Sequence, residues 1–225
     1  METFATRDHT ERMLKLFKAR IKVSKNIIVI EGGHELKSPG RIYVPGDISS
    51  ASFFMVAGSL LAGSRVLIKD VSLNPSRIGV VRVLKRMGAN IKVKRQKSLP
   101  IGREGKSGEP RGDIMVKSSR LKGVRVKKEE VPSLIDELPV LMVAATFAQG
   151  ESVFEAIGEL RVKETDRIRS MVTNLTLMGA NISLVKALGS ENVRIRGVKL
   201  MRGAQVRSFA DHRTAMSLVV AGLCS

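Results

Sequence analysis

Apolar positions along the chain repeat a fixed order of helix-like and strand-like spacing. Residues 47–71 and 136–157 each open on an aspartate and continue as an apolar helical stretch. Both then stop at a glycine and enter a strand rich in β-branched residues. Residues 211–225 begin a third stretch of this kind. Because aspartate is a good N-cap, each leading aspartate is predicted to start a helix.

A second pattern, consisting of a helix end, a turn and an alternating strand, lies between these stretches. "VLKRMGANIKV" (83–93) and "NLTLMGANISL" (174–184) carry a glycine in the turn, and "MLKLFKARIKV" (13–23) has Lys18 in its place. Each complete unit is therefore predicted to run strand, helix, strand, helix, strand, with further strands between. This order indicates a layered α/β (α+β) fold with helices packed inside. Because the units at both ends are incomplete, we expect a piece of a longer repeat protein.

Composition favours a protein of a reducing compartment, without a membrane span. The chain has 225 residues, of which 43% are hydrophobic. The longest apolar runs, 53–63 and 138–148, are much shorter than the roughly 20 residues that cross a bilayer. No secretory leader opens the sequence, and Cys224 is the single cysteine. We therefore expect a cytoplasmic protein with no membrane partner, and with three histidines and one cysteine a His/Cys metal site is not expected.

The net charge of +18 points to anionic partners, either polyanions or small molecules with several negative charges. Aromatic residues make up only 4% of the chain, which argues against a surface that stacks single-stranded bases. A basic nucleic-acid-binding module, with steeply salt-dependent binding, stays open as an alternative. Much of the excess charge lies in residues 103–128, which we interpret as a mobile, solvated hairpin loop.

Candidate chemistry concentrates in "RVKETDRIRS" (161–170), which has six charged residues in ten positions directly before an apolar helical stripe. Thr165 is a plausible N-cap for that helix. Arg7, Arg77 and Arg167 share one position of the repeat, at the start of the second helix of a unit. His212 and Arg213 fall in the first turn of the helix that follows Asp211.

Cations at a helix N-terminus oppose the helix dipole, but they strengthen a site that binds anions. Pairing with a neighbouring acid, such as Asp8 or Asp166, is the alternative; we prefer it for Arg77, and we prefer anion binding for Arg167 with its neighbours Lys163 and Glu164. Asp136 and Glu164 are a possible acid/base pair, although Asp136 could simply cap its helix. His212 could carry a proton or act as a neutral hydrogen-bonding group.

Five segments in the right order carry a family resemblance: "TRDHTERML", "VPGDISSASFF", "PSLIDELPVL", "RVKETDRI" and "FADHRTAMS". Together they resemble the 3-phosphoshikimate 1-carboxyvinyltransferases, or EPSP synthases, over residues 6–221. The UDP-N-acetylglucosamine enolpyruvyl transferases share that fold and are the second enzymatic alternative. The "KETDR" and "DHR" segments are more similar to the shikimate branch.

The resemblance implies transfer of the enolpyruvyl group of phosphoenolpyruvate to the 5-hydroxyl of shikimate 3-phosphate, with release of phosphate, in aromatic amino acid biosynthesis. It implies no cofactor and no nucleic acid. The family fold has two domains of βαβαββ units, so residues 1–40 would be the tail of the first domain and residues 41–225 most of the second. A full-length member would be monomeric.

The resemblance also assigns roles to individual residues. Asp136 would be the base near the reacting hydroxyl, and Lys163 would contact shikimate 3-phosphate. Glu164 would carry a proton to and from the methylene carbon of phosphoenolpyruvate. The remaining assignments are Arg167 and Arg213 for phosphoenolpyruvate, His212 beside them, and Arg7 for phosphate, with Thr6 in place of the usual serine.

Several motifs of the family have no counterpart in this sequence. They are a Lys-Ser…Arg cluster, a Gly-rich turn with its following arginine and a Ser-Ala-Gln stretch from the N-terminal half, and a phosphoenolpyruvate-binding lysine near the C-terminus. We therefore expect this chain alone to be inactive or nearly so.

Overall fold

The computed structural model describes residues 6–25, 27–96, 108–187 and 189–225. The first described helix, α1 (His9–Leu16), leads into an antiparallel hairpin of β1 (Arg20–Ser24) and β2 (Ile27–Glu31). The branched apolar residues at 27–30, which have a high strand propensity, are 51–58% exposed. Within the described residues, this hairpin therefore forms a small sheet with little cover.

The first complete unit alternates helices with strands of one antiparallel sheet. Its elements are α2 (Ile48–Leu60), β3 (Arg65–Ser72), α3 (Gly79–Arg86), β4 (Asn90–Gln96) and β5 (Arg111–Lys117). The strand order is β3-β5-β4, and β5 runs antiparallel to both neighbours. A parallel bridge from Gly46 to Val71 supplies a minimal leading strand, which completes a βαβαββ unit.

The second unit repeats this connectivity. Its elements are β6 (Arg125–Val126), α4 (Leu138–Thr146), β7 (Glu151–Phe154), α5 (Arg167–Leu177), β8 (Asn181–Ala187) and β9 (Ser190–Arg196). The order is β6-β7-β9-β8, with β6 parallel to β7 and the other pairs antiparallel. Short 3₁₀ turns cover Val131–Ser133, Ile135–Glu137 and Gly158–Val162, and α6 (His212–Leu223) follows. The α/β class and its repeated units are confirmed.

The leading helices α2, α4 and α6 pack against one another and form the centre of the core. Helix α4 is buried at each of its nine positions, which accounts for its uniformly apolar sequence. Asp47 caps α2 and Asp211 caps α6 through side-chain bonds to backbone N–H groups, as predicted. Arg77 and Arg167 contact the starts of all three helices, through Ser49 of α2, Asp211 before α6 and Asp136 in the turn before α4.

Asp136 is not an N-cap, contrary to the alternative that the sequence left open. It lies in the 3₁₀ turn before α4, and no side-chain capping bond is formed at either turn or helix start. Pro139 sits in the first turn of α4, where its missing N–H needs no partner, so the helix begins two residues beyond the aspartate. The carboxylate of Asp136 is thereby left for other contacts.

The basic stretch 103–128 contains two strands, so its interpretation as one solvated loop is wrong for the described part. In β5, buried Ile114 and Val116 alternate with Asp113, Met115 and Lys117 on the other face. The high charge density masked this period-2 pattern. Residues 97–107 lie outside the described part of the chain.

None of the helices in the described ranges has the length and apolar character needed to cross a membrane. The division of the chain near residue 40 stays a prediction.

Candidate active site

Four arginines surround the carboxylate of Asp136; we call Arg7, Arg77, Arg167 and Arg213 the arginine cluster. Arg7 Nη2 donates to Asp136 Oδ2, and Arg77 Nη2 donates to the same oxygen at 3.2 Å. Arg167 Nη1 donates to Oδ1 at 3.5 Å, and Arg213 Nη2 lies 3.7 Å from Oδ2. The repeat explains this convergence, because three of the four arginines stand at the start of the second helix of a unit.

The arginine cluster keeps Asp136 ionised. Burial raises the pKa of this carboxyl group, but the combined charges of Arg213, Arg7, Arg77 and Arg167 outweigh burial and lower it below its usual value. Asp136 is therefore a carboxylate surrounded by cations, able to accept a proton and placed among groups that bind anions.

Arg167 connects the two carboxylates that the sequence suggested as an acid/base pair. It is the largest fully buried side chain in the described part of the chain. Besides its contact with Asp136, its Nη2 donates to Glu164, whose side chain is 52% exposed. Its Nε donates to Asp211 Oδ2 at 2.9 Å. One guanidinium group thus holds a buried carboxylate and a solvent-facing one on the same site.

Asp211 both caps α6 and pairs with Arg167. Its Oδ1 accepts from the backbone N–H of Thr214 at 2.8 Å. Burial raises the pKa of Asp211, but the Thr214 N–H and Arg167 together lower it below its usual value. Arg167 pairs with acids other than Asp166, which instead accepts from Arg161. The anion-binding role of Arg167 stays a prediction.

Arg77 forms a buried pair with Glu137. Its Nη2 donates to Glu137 Oε1 at 3.0 Å and to Ser49 Oγ at 2.7 Å. Burial raises the pKa of Glu137, and the charge of Arg77 only partly offsets this effect. Arg77 does pair with acids, as preferred from the sequence, but with Asp136 and Glu137 rather than with Asp8 or Asp166.

Two predicted site residues stand apart from the cluster. Lys163 pairs with Glu159, four residues earlier on the chain. His212 is exposed at the first position of α6. Among the described residues, neither makes a hydrogen bond or an ion pair with Asp136, Glu164 or the arginine cluster. The predicted N-cap Thr165 is also wrong, because Asp166 caps α5 by accepting from the N–H of Arg169.

Sequence reasoning missed the roles of Ser49, Glu137 and Asp211. The aspartates that lead the three units were visible as a repeat, and the pairing of one of them with a second-helix arginine could have been suggested from that symmetry. The pairing of Glu137 with Arg77 spans 60 residues and leaves no local signal.

Within the part of the chain that the structure describes, Asp8, His9 and Glu109 have ligand atoms within 4.8 Å of one another, close enough to share a metal ion. Asp8 already accepts from Arg12 and Asn74, and Glu109 accepts from Asn74. Because protein donors occupy these carboxylates, we assign no metal to them.

Comparison with known proteins identifies the family of the chain. The sequence profile of EPSP synthase (3-phosphoshikimate 1-carboxyvinyltransferase) matches residues 4–225. The chain belongs to the EPSP synthase family. A 3-phosphoshikimate 1-carboxyvinyltransferase of Shouchella clausii is 44% identical over 224 residues, which are 100% of this chain and 49% of the relative.

Solved structures agree with this membership. EPSP synthase from Acinetobacter baumannii superposes with a TM-score of 0.85 at 40% identity, covering 99% of this chain and 49% of that one. The enolpyruvyl transferase NikO from Streptomyces tendae, at 17% identity and a TM-score of 0.67, shares the fold. The chain thus spans about half the length of the relatives it matches.

Proposed function

We propose that this chain carries part of the active site of a 3-phosphoshikimate 1-carboxyvinyltransferase. The observation that carries the proposal is the arginine cluster around Asp136 in a member of the EPSP synthase family. Phosphoenolpyruvate and shikimate 3-phosphate both bear phosphate and carboxylate groups. Arginine binds such groups through paired hydrogen bonds, so a cluster of arginines suits two anionic substrates.

Arg167 and Arg213 are proposed to bind phosphoenolpyruvate, and Arg7 and Lys163 the phosphorylated acceptor. Asp136 takes the proton of the 5-hydroxyl as the hydroxyl oxygen bonds to C2 of phosphoenolpyruvate. Glu164, solvent-facing and bonded to Arg167, gives a proton to the methylene carbon. His212 is proposed to assist beside Arg213.

Product formation reverses the second proton transfer. Glu164 removes a proton from the new methyl group, and the bond from C2 to the phosphate oxygen breaks. Inorganic phosphate leaves with the electron pair and takes up the proton held by Asp136. The chemistry needs two carboxyl groups that exchange protons independently. The different exposures of Asp136 and Glu164 are compatible with that requirement.

The two-domain arrangement is part of the proposal. Residues 1–40 would belong to the first domain and residues 41–225 to the second, with the substrates bound between them. Arg7 is then a contribution of the first domain to a site built mainly on the second. The exposed hairpin β1–β2 and the ion pair of Arg7 with Asp136 support this division.

Phosphate release from phosphoenolpyruvate and shikimate 3-phosphate tests the function. The assay uses the chain extended by its flanking coding sequence, next to Asp136→Asn, Lys163→Ala and Arg213→Ala. We expect Asp136→Asn to lower kcat, Lys163→Ala to raise KM for shikimate 3-phosphate and Arg213→Ala to raise KM for phosphoenolpyruvate. Arg196→Ala, on the exposed face of β9, is the control and should change neither constant. No release by a well-folded extended chain would exclude the proposal.

A further inference from the structure

We propose that Arg77 is a positioning residue, held by Glu137 and Ser49, that fixes the carboxylate of Asp136 in the orientation needed to take a proton. The inference rests on the proposed function and adds a residue to it. Arg77 Nη2 lies 2.7 Å from Ser49 Oγ, 3.0 Å from Glu137 Oε1 and 3.2 Å from Asp136 Oδ2. One nitrogen thus ties the start of α2, through Ser49, to the turn that carries Asp136.

Arg77 is held on Asp136 more firmly than Arg7 and Arg213 are. The Arg7 side chain is 51% exposed, and Arg213 makes only long contacts with Asp136, at 3.5 and 3.7 Å. Arg167 is as buried as Arg77, but its contact with Asp136 is longer, at 3.5 Å, and it also pairs with Glu164 and Asp211. Anionic substrates would draw Arg7 and Arg213 toward their own phosphate and carboxylate groups. Arg77, whose side chain is 5% exposed, would stay on Asp136 throughout the reaction.

The buried pair is not arranged for its own stability. Arg77 Nη1 and Glu137 Oε2 are both buried without a hydrogen-bond partner among the described residues. Unpaired buried polar atoms are unfavourable and call for an explanation. The orientation of the pair toward Asp136 provides that explanation. Arg77 donates from one nitrogen, Nη2, to both Asp136 and Glu137.

Arginine and carboxylate side chains of the described residues face both carboxyl groups. Asp136 faces the four members of the arginine cluster and Glu137, while Glu137 faces Arg77, Arg213 and Asp136. Burial holds the pKa of Glu137 above its usual value, whereas the arginine cluster holds the pKa of Asp136 below its usual value. Asp136, which Arg77 Nη2 contacts at 3.2 Å, is therefore the more acidic of the two carboxyl groups.

A double-mutant cycle on the extended chain separates positioning from a merely structural role. In the wild-type background, Arg77→Met should lower kcat by about 10- to 100-fold and leave KM for both substrates nearly unchanged. Arg77→Lys should restore part of kcat. In the Asp136→Asn background, Arg77→Met should have no further effect, because its target is gone. Equal losses in both backgrounds, or a rise of KM in place of the fall in kcat, would overturn the proposal.

A titration of the present chain tests the same contact without substrate. Carbon-13 NMR follows the labelled carboxyl carbon of Asp136, assigned by its loss in Asp136→Asn. Arg77→Met should raise the pKa of Asp136 by about one unit or more, and Glu137→Gln should leave it close to the wild-type value. Identical titrations in all three proteins would refute the coupling.

If Arg77→Met does not fold, Arg77→Met/Glu137→Gln removes both members of the buried pair and is compared with Glu137→Gln. The two experiments also separate two kinds of failure. An extended chain without phosphate release would exclude the proposed function, whereas an unshifted Asp136 in an active enzyme would exclude only the role of Arg77.

Discussion

Lys18 holds a backbone conformation that its two counterparts leave to glycine. Its φ is 62°, and Gly88 and Gly179, in the same turn of the following units, have φ of 90° and 92°. A side chain in this left-handed region costs about 1–2 kcal/mol, of which the extra flexibility of unfolded glycine would cancel about 0.5–1 kcal/mol. We predict that Lys18→Gly raises the free energy of unfolding by about 0.5–1 kcal/mol, measured by urea denaturation.

Gly179→Lys provides the matched control for that substitution. It places a side chain in the same turn of the second unit, so it should lower the free energy of unfolding by a similar amount. If both variants unfold like the wild type, backbone strain at this turn does not affect the free energy of unfolding.

Asp211 should contribute more to stability than Asp47, although both cap a leading helix. Asparagine is as good an N-cap as aspartate, so each Asp→Asn change preserves the cap. Only Asp211→Asn also removes a charge from buried Arg167. We predict a loss of about 2–3 kcal/mol for Asp211→Asn at pH 7 and less than about 1 kcal/mol for Asp47→Asn.

The loss of unfolding free energy caused by Asp211→Asn should depend on pH. The folded-state pKa of Asp211 is lowered, so its contribution is fully present above the unfolded pKa of about 3.9 and is lost as the pH falls through the lower folded value. Urea unfolding of wild type and Asp211→Asn should therefore converge below about pH 4. If the difference in unfolding free energy between wild type and Asp211→Asn stays constant from pH 7 to pH 3, the charge of Asp211 does not account for its contribution.

Helices α2 and α4 lead equivalent units but differ in how far they are enclosed. Phe54 on α2 is 63% exposed, whereas Leu141 on α4 is fully buried. We predict that Leu141→Ala lowers the free energy of unfolding by about 2–5 kcal/mol, because it opens a cavity in the core. Phe54→Ala should change it by less than about 0.5 kcal/mol. Comparable losses from both would indicate that Phe54 is covered in solution, for instance in an oligomer, which sedimentation would detect.

Helices and most strands were predictable because each presents a regular apolar face to one core. The order of α2, β3, α3 and β4 follows from the spacing of apolar residues along the chain. Strand β5 was missed because charged residues on its exposed face dominate the composition of the segment. The start of α4 was missed because Pro139 moves it past Asp136. In both cases a local feature competed with the repeat, and tertiary packing decided the outcome.

The site was predictable only as far as the repeat carries it. Symmetry brought Arg7 and Arg167 to equivalent positions and suggested that they meet. Their common target, Asp136, lies 129 and 31 residues away along the chain, and pairing over such distances depends on how the units pack. Side-chain direction is a further step that the sequence does not determine. Lys163 pairs with Glu159, and its contact with shikimate 3-phosphate stays a prediction.

This chain alone is expected to be inactive as an enzyme, or nearly so. This chain spans about half the length of its relatives. It does hold the cluster proposed for phosphoenolpyruvate. Catalysis requires both substrates to be held and oriented in a closed site. We therefore expect this chain to bind phosphoenolpyruvate without converting it.

We predict that the isolated chain binds phosphoenolpyruvate weakly and releases no measurable phosphate from it at ordinary enzyme concentrations, even with shikimate 3-phosphate present. Binding is measured by equilibrium dialysis at low salt. Arg213→Ala should abolish it, and Arg196→Ala should not. Substantial turnover by the isolated chain would show that its own residues suffice for catalysis. Absence of binding would instead place the determinants of phosphoenolpyruvate affinity outside the arginine cluster.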